Sequence, residues 1–443
     1  MLKIGFVSLG CPKNQLDTEV MLGHIAEAGY EITPDETEAD IVVINTCAFI
    51  EEAKKEAIDN ILDIAWLKEH NNLKGIIVTG CLAERYREEV EREMPEVDAV
   101  LGTGSVHSIV SAIEAVERGE RFSEFKDKNE VALGGDRIVT TGDAMAYLKI
   151  SEGCNNRCTY CAIPDIRGKF RSRPIDDIIK EANELVSGLG IKELVVVGQD
   201  TTAYGIDLYG KYALAELLHR LAEETDVKWI RILYCYPDKI TDELIDEFNK
   251  NEKLVKYIDL PIQHISSKIL KRMNRRGNGE LVRSVIKKLR TQVEGISIRS
   301  TAIVGFPGET EEDFLELCEF IKEAKFDHFG AFTYSREEGT PAYDFDDQID
   351  EQVKQDRYDI LMSQQLEISE ALLKEKIGKK MTVLVEAFDP VSEAYSARSA
   401  DNAPDIDGKV FISARKGALA EGEFIEVEII DALDYDLIAV LGR

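Results

Sequence analysis

Short apolar runs alternate with stretches of helical spacing along most of this chain. Up to about residue 120 the runs are Ile4–Leu9, Ile41–Ile44 and Gly75–Val78, with a weaker fourth at Val97–Leu101. Between them, Asp17–Ala28, Glu51–Trp66 and Ala83–Glu93 repeat apolar residues three and four apart, which predicts helices with one buried face. Such alternation builds a parallel sheet covered on both faces. Arg121 to Ala144 is polar, contains glycine and reads as a linker. Strand-like runs then recur at Tyr147–Ile150, Glu193–Val197, Trp229–Leu233, Lys256–Leu260, Ser297–Val304 and His328–Tyr334. Helical stretches at Asp176–Leu189, Ala213–Glu223, Thr241–Phe248, Leu281–Val293 and Glu311–Ala324 separate them, and six β/α units predict a partial barrel of parallel strands. A long amphipathic stretch over 350–376 leads into a tail with β-branched runs at Met381–Phe388, Val410–Ile412, Phe424–Ile430 and Leu437–Leu441. The fold class is therefore α/β: an N-terminal parallel α/β sandwich (1–120), a central partial (β/α)6 barrel (140–376) and a small C-terminal β-barrel of oligonucleotide-binding type (377–443).

Composition narrows the setting. The 443 residues suffice for several cores, and 44% hydrophobic content is ordinary for a soluble protein. The opening MLKIGFVSLG lacks a cleavable signal pattern and no apolar run reaches bilayer length, so a cytoplasmic protein with no membrane association is expected. In a reducing cytosol, spaced cysteines read as metal ligands before disulfides. The formal net charge is −30, a surface that repels phosphate backbones and attracts basic partners. An acidic surface that merely aids solubility is the bland alternative.

The densest chemical signal is Cys154-Asn-Asn-Arg-Cys158-Thr-Tyr-Cys161. Three cysteines hold a 4Fe-4S cube by three corners and leave one iron open, whereas electron-storing cubes normally take four. The open iron points to a cluster that binds S-adenosylmethionine and cleaves it reductively. Zinc is the rival, but it takes four Cys or His ligands and no fourth stands near. A second set is dispersed: the first three strands each lead into a cysteine, Cys11, Cys47 and Cys81. Ligands of open α/β sheets gather at the carboxyl ends of strands, so these thiols, about 35 residues apart, are expected at one edge around a second open cube. Three unrelated buried thiols are the alternative. Gly10 and Gly80 favour the cluster, since glycine lets backbone approach a bulky group.

Other candidates cluster after the barrel strands. Arg167-Gly-Lys169-Phe-Arg171-Ser-Arg173 carries four positive charges in seven residues and suits the carboxylate of a cofactor or substrate. Tyr160 is placed to flank an adenine ring or to pack in the core. Gly198-Gln199-Asp200 ends the second barrel strand, where it reaches a cofactor or caps the next helix. Gly305-Phe306-Pro307-Gly308-Glu309 marks a tight turn after the fifth. His264 follows the fourth and reads as structural before catalytic. Cys235 and Cys318 read as packed thiols; Lys271-Arg272 and Arg275-Arg276 form a second basic patch. No Ser/His/Asp arrangement or phosphate-cradling loop stands out, so no catalytic side chain beyond the cluster ligands is assigned.

With these motifs in order, the whole chain resembles the methylthiotransferases, a branch of the radical S-adenosylmethionine enzymes. The resemblance implies a radical cluster on Cys154, Cys158 and Cys161, an auxiliary cluster on Cys11, Cys47 and Cys81, and a TRAM domain in the tail. It also implies two uses of S-adenosylmethionine, as methyl donor and as source of a radical that takes hydrogen from an unactivated carbon. A low-potential electron donor of flavodoxin or ferredoxin type and a sulfur source are implied partners. One branch of the family modifies transfer RNA and the other the β-carbon of an aspartate in ribosomal protein S-twelve, free or in the assembling small subunit. Gly10-Cys11-Pro12-Lys13-Asn14 and Ala403-Pro404-Asp405-Ile406-Asp407-Gly408 resemble the ribosomal-protein branch. Charge favours it too: Lys376 to Arg443 holds 8 basic and 13 acidic residues, poor for gripping a polyanion. Asp401, Asp405 and Asp407 are expected to form an acidic face for a basic ribosomal protein.

Overall fold

A computed structural model describes every residue except Met1, Asn72, Asp143 and Arg443, so Asp143 of the expected linker and the two chain ends lie outside the described residues. The chain divides into two compact units. The first comprises Met1–Thr140, Ser151–Arg171 and Ser335–Tyr343, and the second Thr141–Ile150, Ser172–Tyr334 and Asp344–Arg443.

The sheet of the first unit has six parallel strands in the spatial order Glu31–Thr33, Lys3–Ser8, Ile41–Thr46, Gly75–Gly80, Ala99–Leu101, Phe122–Glu124. Its two edge strands are three residues long, too short for an alternating pattern to register. Phe122–Glu124 falls inside the stretch read as a linker, and that reading is corrected accordingly. Further along the stretch, Glu19 accepts from the Thr140 backbone N–H at 2.8 Å and pairs with Arg137. The first helix runs Pro12–Glu27, five residues earlier than its apolar spacing indicates, because Pro12 sits in the first turn where its missing N–H costs nothing. Its first turns bury Lys13, Asn14, Asp17, Thr18 and Glu19, polar residues invisible to a hydrophobic period. The expected helix at Ala83–Glu93 is two helices, Cys81–Arg85 and Arg87–Glu93, broken at Tyr86.

In the second unit six parallel strands follow one another in chain order: Met145–Lys149, Glu193–Val197, Trp229–Ile232, Leu254–Asp259, Ser297–Val304 and His328–Thr333. This is the expected partial barrel, open between its first and last strands. The helix Glu351–Lys374 packs beside the last strand, and its Lys354 donates to the Tyr334 carbonyl at 3.1 Å. The tail closes into a barrel of five strands, one of which, Ala394–Ser399, is too small and polar to show in the pattern. Val383, Val385, Tyr395, Val410, Ile412 and Val427 fill it.

The tail's acidic loop corrects an expectation. Asp407 is turned inward: its carboxylate accepts from Tyr257 Oη at 2.7 Å and the Ala403 N–H at 2.8 Å, and pairs with Arg299 at 3.3 Å. The neighbouring carbonyls of Ala400 and Asp401 accept from Arg231 at 2.8 Å and His328 at 2.7 Å. Asp401 pairs with Lys376 at 2.7 Å. The loop therefore seals the amino-terminal end of the barrel strands, and of the three acids only Asp405 is an exposed residue. Net charge counts acids without saying which way they point.

Candidate functional site

The six cysteines assigned to clusters all belong to the first unit. Its strand order reverses between Lys3–Ser8 and Ile41–Thr46, and in open α/β sheets the carboxyl ends at such a reversal form the binding crevice. Cys11 and Cys47 follow those two strands, and Cys81 follows the next. The glycines before Cys11 and Cys81 sit where the backbone leaves no room for a side chain. Gly10 has φ +92°, and a Cβ there would stand 2.8 Å from the Cys47 Cβ and 3.0 Å from its Sγ. Gly80 has φ +91°, and a Cβ there would meet Asn45 Oδ1 at 2.3 Å and the Thr46 carbonyl at 2.5 Å.

Asn14 laces the crevice together. Its Nδ2 donates to the carbonyls of Leu9 at 2.7 Å and Thr46 at 3.1 Å, while Asn45 Nδ2 returns a bond to the Asn14 carbonyl at 2.7 Å. Asn14 Oδ1 accepts from Arg167 Nη2 at 2.8 Å, and the same nitrogen stands 3.5 Å from Cys81 Sγ. Arg167 Nη1 is paired with Asp17 and lies 3.7 Å from Glu152. All of these side chains are buried. Burial would raise the Cys11 thiol, but Lys13, Arg167 and two backbone N–H groups outweigh it and hold that thiol below its usual value. Burial dominates at the other two, raising Cys47 and pushing Cys81 up to about 12 despite Arg167.

The triplet occupies a loop bound at both ends. Gly153 has φ +78°, and a Cβ there would fall 2.2 Å from the Lys169 carbonyl. The Cys154 N–H donates to the Gly168 carbonyl at 3.1 Å, and Cys161 closes a turn on the Cys158 carbonyl at 3.1 Å. Asn156 Nδ2 stands 3.5 Å from Cys154 Sγ. Cys154 and Cys158 are buried, whereas Cys161 and its neighbour Tyr160 are half-buried. From the last barrel strand the chain returns to this unit: the Ala342 N–H donates to the Thr159 carbonyl at 2.9 Å, and Glu337 pairs with Arg85 at 2.8 Å and Lys54 at 3.2 Å.

The basic run is not a free clamp for a substrate carboxylate. Arg167 is committed to Asp17 and Asn14, and Arg171 donates to the carbonyls of Val131 and Lys128, each at 2.7 Å. Arg173 holds Glu181 at 2.6 Å. Only Lys169 of the four is an exposed residue. Substrate contact by Arg167 and Arg171 is thus replaced by fastening of the triplet loop, because buried guanidiniums must be paired where they sit.

Gly198 and Gln199 follow the strand Glu193–Val197 of the second unit, and Asp200 beside them caps Thr201–Ala203 and pairs with Lys239 at 2.7 Å, both buried. Glu309 explains the glycine-rich turn: its carboxylate accepts from the Gly305 N–H at 2.8 Å and from Arg357 at 2.9 Å. His264 is fully buried, and its Nδ1 accepts from the Ser266 N–H at 3.0 Å. The second basic patch is partly structural, with Arg272 paired to Asp347 at 2.6 Å and Arg275 stacked 4.1 Å over Tyr236. Cys235 and Cys318 are buried free thiols.

Sequence reasoning missed Asn14, Asp17, Asn45 and Glu152. A run of polar residues opening a helix at a cysteine was the available signal.

The donor chemistry of both sets fits iron–sulfur cubes: thiols alone, in threes. Among the described residues no three Cys, His, Asp or Glu side chains converge on a single ion. Thiolates on separate irons of a cube stand wider apart than ligands of one ion. Among the described residues no helix is long and apolar enough to cross a membrane.

Comparison with known proteins places these features. The model of the uncharacterized protein family UPF0004 matches residues 3–102, that of the Radical SAM superfamily 148–321, and that of the TRAM domain 377–441. The chain is 48% identical over 441 residues to the ribosomal protein uS12 methylthiotransferase RimO of Clostridium tetani, covering 99% of this chain and 98% of the relative. The protein of the same name from a Thermoanaerobacter species is 48% identical over 439 residues, covering 99% of each. Among solved structures, the radical S-adenosylmethionine methyltransferase TsrM from Kitasatospora setae aligns with a TM-score of 0.54 at 14% identity, covering 75% of this chain and 73% of that one, a likeness of fold alone. Similarity at this level along the full length, with three domain models in order, makes the chain a member of the ribosomal protein uS12 methylthiotransferase family of radical SAM enzymes.

Proposed function

We propose that this chain inserts a methylthio group at the β-carbon of an aspartate in ribosomal protein uS12. The observation that carries the reading is the pair of three-thiol sets on one compact unit, in a chain whose full-length relatives bear that name. Cys154, Cys158 and Cys161 would hold one 4Fe-4S cluster, and Cys11, Cys47 and Cys81 the other. These groups and S-adenosylmethionine would supply the radical, the methyl group and the inserted sulfur. The chain's part is to hold, orient and shield them. Asn14 and Asn45 fix the strand ends that carry Cys11 and Cys47, and the positive φ of Gly153, the Cys154–Gly168 bond and Asn156 shape the triplet loop. Tyr160, Gly198 and Gln199 are our candidates for contact with S-adenosylmethionine.

We assign 1–120 to the auxiliary-cluster domain, 140–376 to the radical SAM core and 377–443 to the TRAM barrel. The protein would work in the cytoplasm on uS12 or the assembling small subunit, drawing electrons from a flavodoxin- or ferredoxin-type donor and sulfur from a separate source. Of the three loop acids, Asp405 is the exposed one, with the Tyr147 hydroxyl 3.4 Å from its carboxylate, and it is our candidate for contact with a basic substrate. The deciding experiment incubates anaerobically reconstituted enzyme with S-adenosylmethionine, reductant and either a uS12 peptide or transfer RNA. A peptide mass gain of one methylthio group for one hydrogen is expected; modification of RNA alone would overturn the proposal.

A further inference from the structure

Arg167 is unusual in where it comes from and where it goes. It lies in the helix Ile163–Arg167, directly after the triplet, yet its guanidinium is buried in the crevice of the other cysteine set. Nη2 is 3.5 Å from Cys81 Sγ and 2.8 Å from Asn14 Oδ1, while Nη1 is paired with Asp17. A guanidinium does not lose its proton in a protein, so this is a permanent positive charge beside a sulfur. Asp17 is its counter-charge, buried on the first helix three residues after Asn14. Glu152, from the strand that enters the triplet loop, stands 3.7 Å away on the same nitrogen.

The potential of an iron–sulfur cluster depends on net charge, burial and hydrogen bonds to its sulfurs, and outer groups tune a metal through its ligands. Reduction adds one negative charge to the cluster. A fixed cation at a ligating sulfur favours that state and a fixed anion opposes it. We propose that Arg167 and Asp17 are positioning residues that set the reduction potential of the cluster held by Cys11, Cys47 and Cys81: Arg167 raises it and Asp17 moderates the rise. Because Arg167 belongs to the loop of Cys154, Cys158 and Cys161, the electrostatics of one cysteine set are fixed by the segment that carries the other.

This inference rests on the cluster assignment above, and the test separates the two. Cys154, Cys158 and Cys161 are replaced together by alanine in the full chain, leaving one cluster set. About four irons with matching sulfide are expected after anaerobic reconstitution. Their absence would overturn the cluster assignment and this inference with it. With iron present, the midpoint is followed by electron paramagnetic resonance during redox titration. Arg167→Gln should lower it by the equivalent of tenfold in the reduction equilibrium, about 59 mV for one electron. Arg167→Lys should restore most of the loss, and Asp17→Asn should shift the midpoint upward. Opposite signs are the diagnostic, since simple loosening of the crevice would move both variants the same way. Shifts of one sign, or unchanged midpoints at full iron content, overturn the proposal. Should Arg167→Gln fail to take up iron, the direction of the Asp17→Asn shift decides alone.

Discussion

Arg398, on a strand of the tail barrel, donates to the Glu193 carboxylate at 2.6 Å, and neither side chain meets solvent. Arg231 holds the other oxygen of Glu193 at 2.8 Å. The tail is thereby fastened to the first residue of a barrel strand by one carboxylate shared between two guanidiniums.

The sharing predicts an order of effects. Glu193→Ala leaves buried Arg231 without a carboxylate and Arg398 with Glu386 alone, and should cost about 3–5 kcal/mol. Arg398→Ala leaves Glu193 with Arg231 and should cost less. Denaturant unfolding of the three proteins checks the order; equal losses would mean that Arg231 contributes nothing to the site.

Asp407 and Asp405 should separate in the same assay. Asp407→Ala removes the acceptor of a Tyr257 hydroxyl, a backbone N–H and the Arg299 charge, so a loss of about 2–4 kcal/mol is expected. Asp405 is an exposed residue, and Asp405→Ala should stay within about 0.5 kcal/mol. Binding of a uS12 peptide should weaken in the Asp405 variant and hold in the Asp407 variant.

His264 supplies a pH signature. Burial depresses its pKa from the usual value to about 3, so the folded protein keeps it neutral while the unfolded chain protonates it below about 6.5. The unfolded state then binds more protons, and stability falls as pH drops from 6.5 toward 3. Relative to His264→Asn, whose oxygen replaces the Nδ1 acceptor, the parent should lose about 1.4 kcal/mol per pH unit below pH 6.5. Unfolding free energies of both proteins between pH 7 and pH 5 test the slope; parallel curves would contradict it.

Gly80 should tolerate no side chain. Its φ of +91° and the 2.3 Å and 2.5 Å approaches of Asn45 Oδ1 and the Thr46 carbonyl leave Gly80→Ala strained on two counts. Iron should fall from about eight to about four per chain, with the triplet's share retained. Iron and sulfide assays of the reconstituted variant measure this, and full iron would show that the crevice yields.

Much of the architecture was legible because periodicity and spacing are local. Glu193–Val197, Ser297–Val304, Val410–Ile412 and Leu437–Leu441 read as the strands they are, and Glu311–Ala324 as its helix. Glu31–Thr33 escaped because its one apolar residue between two polar ones makes no run, whereas the equally short Val410–Ile412 is apolar throughout. Pro12 hid the start of the first helix, since its first turns are buried by hydrogen bonds and ion pairs and not by apolar contact.

The amino-acid order alone determined where thiols gather: C-x3-C-x2-C is complete within one loop, and a parallel sheet sends Cys11, Cys47 and Cys81 to one edge whatever the details. Only the tertiary structure decided where charge points. Arg167 meets Cys81 and Asp17 across 86 and 150 residues, and Asp407 turns inward to Tyr257 across 150. The physical reason is that a charge's role depends on its partners and its distance from water, and both are set by chain segments that composition and spacing do not relate.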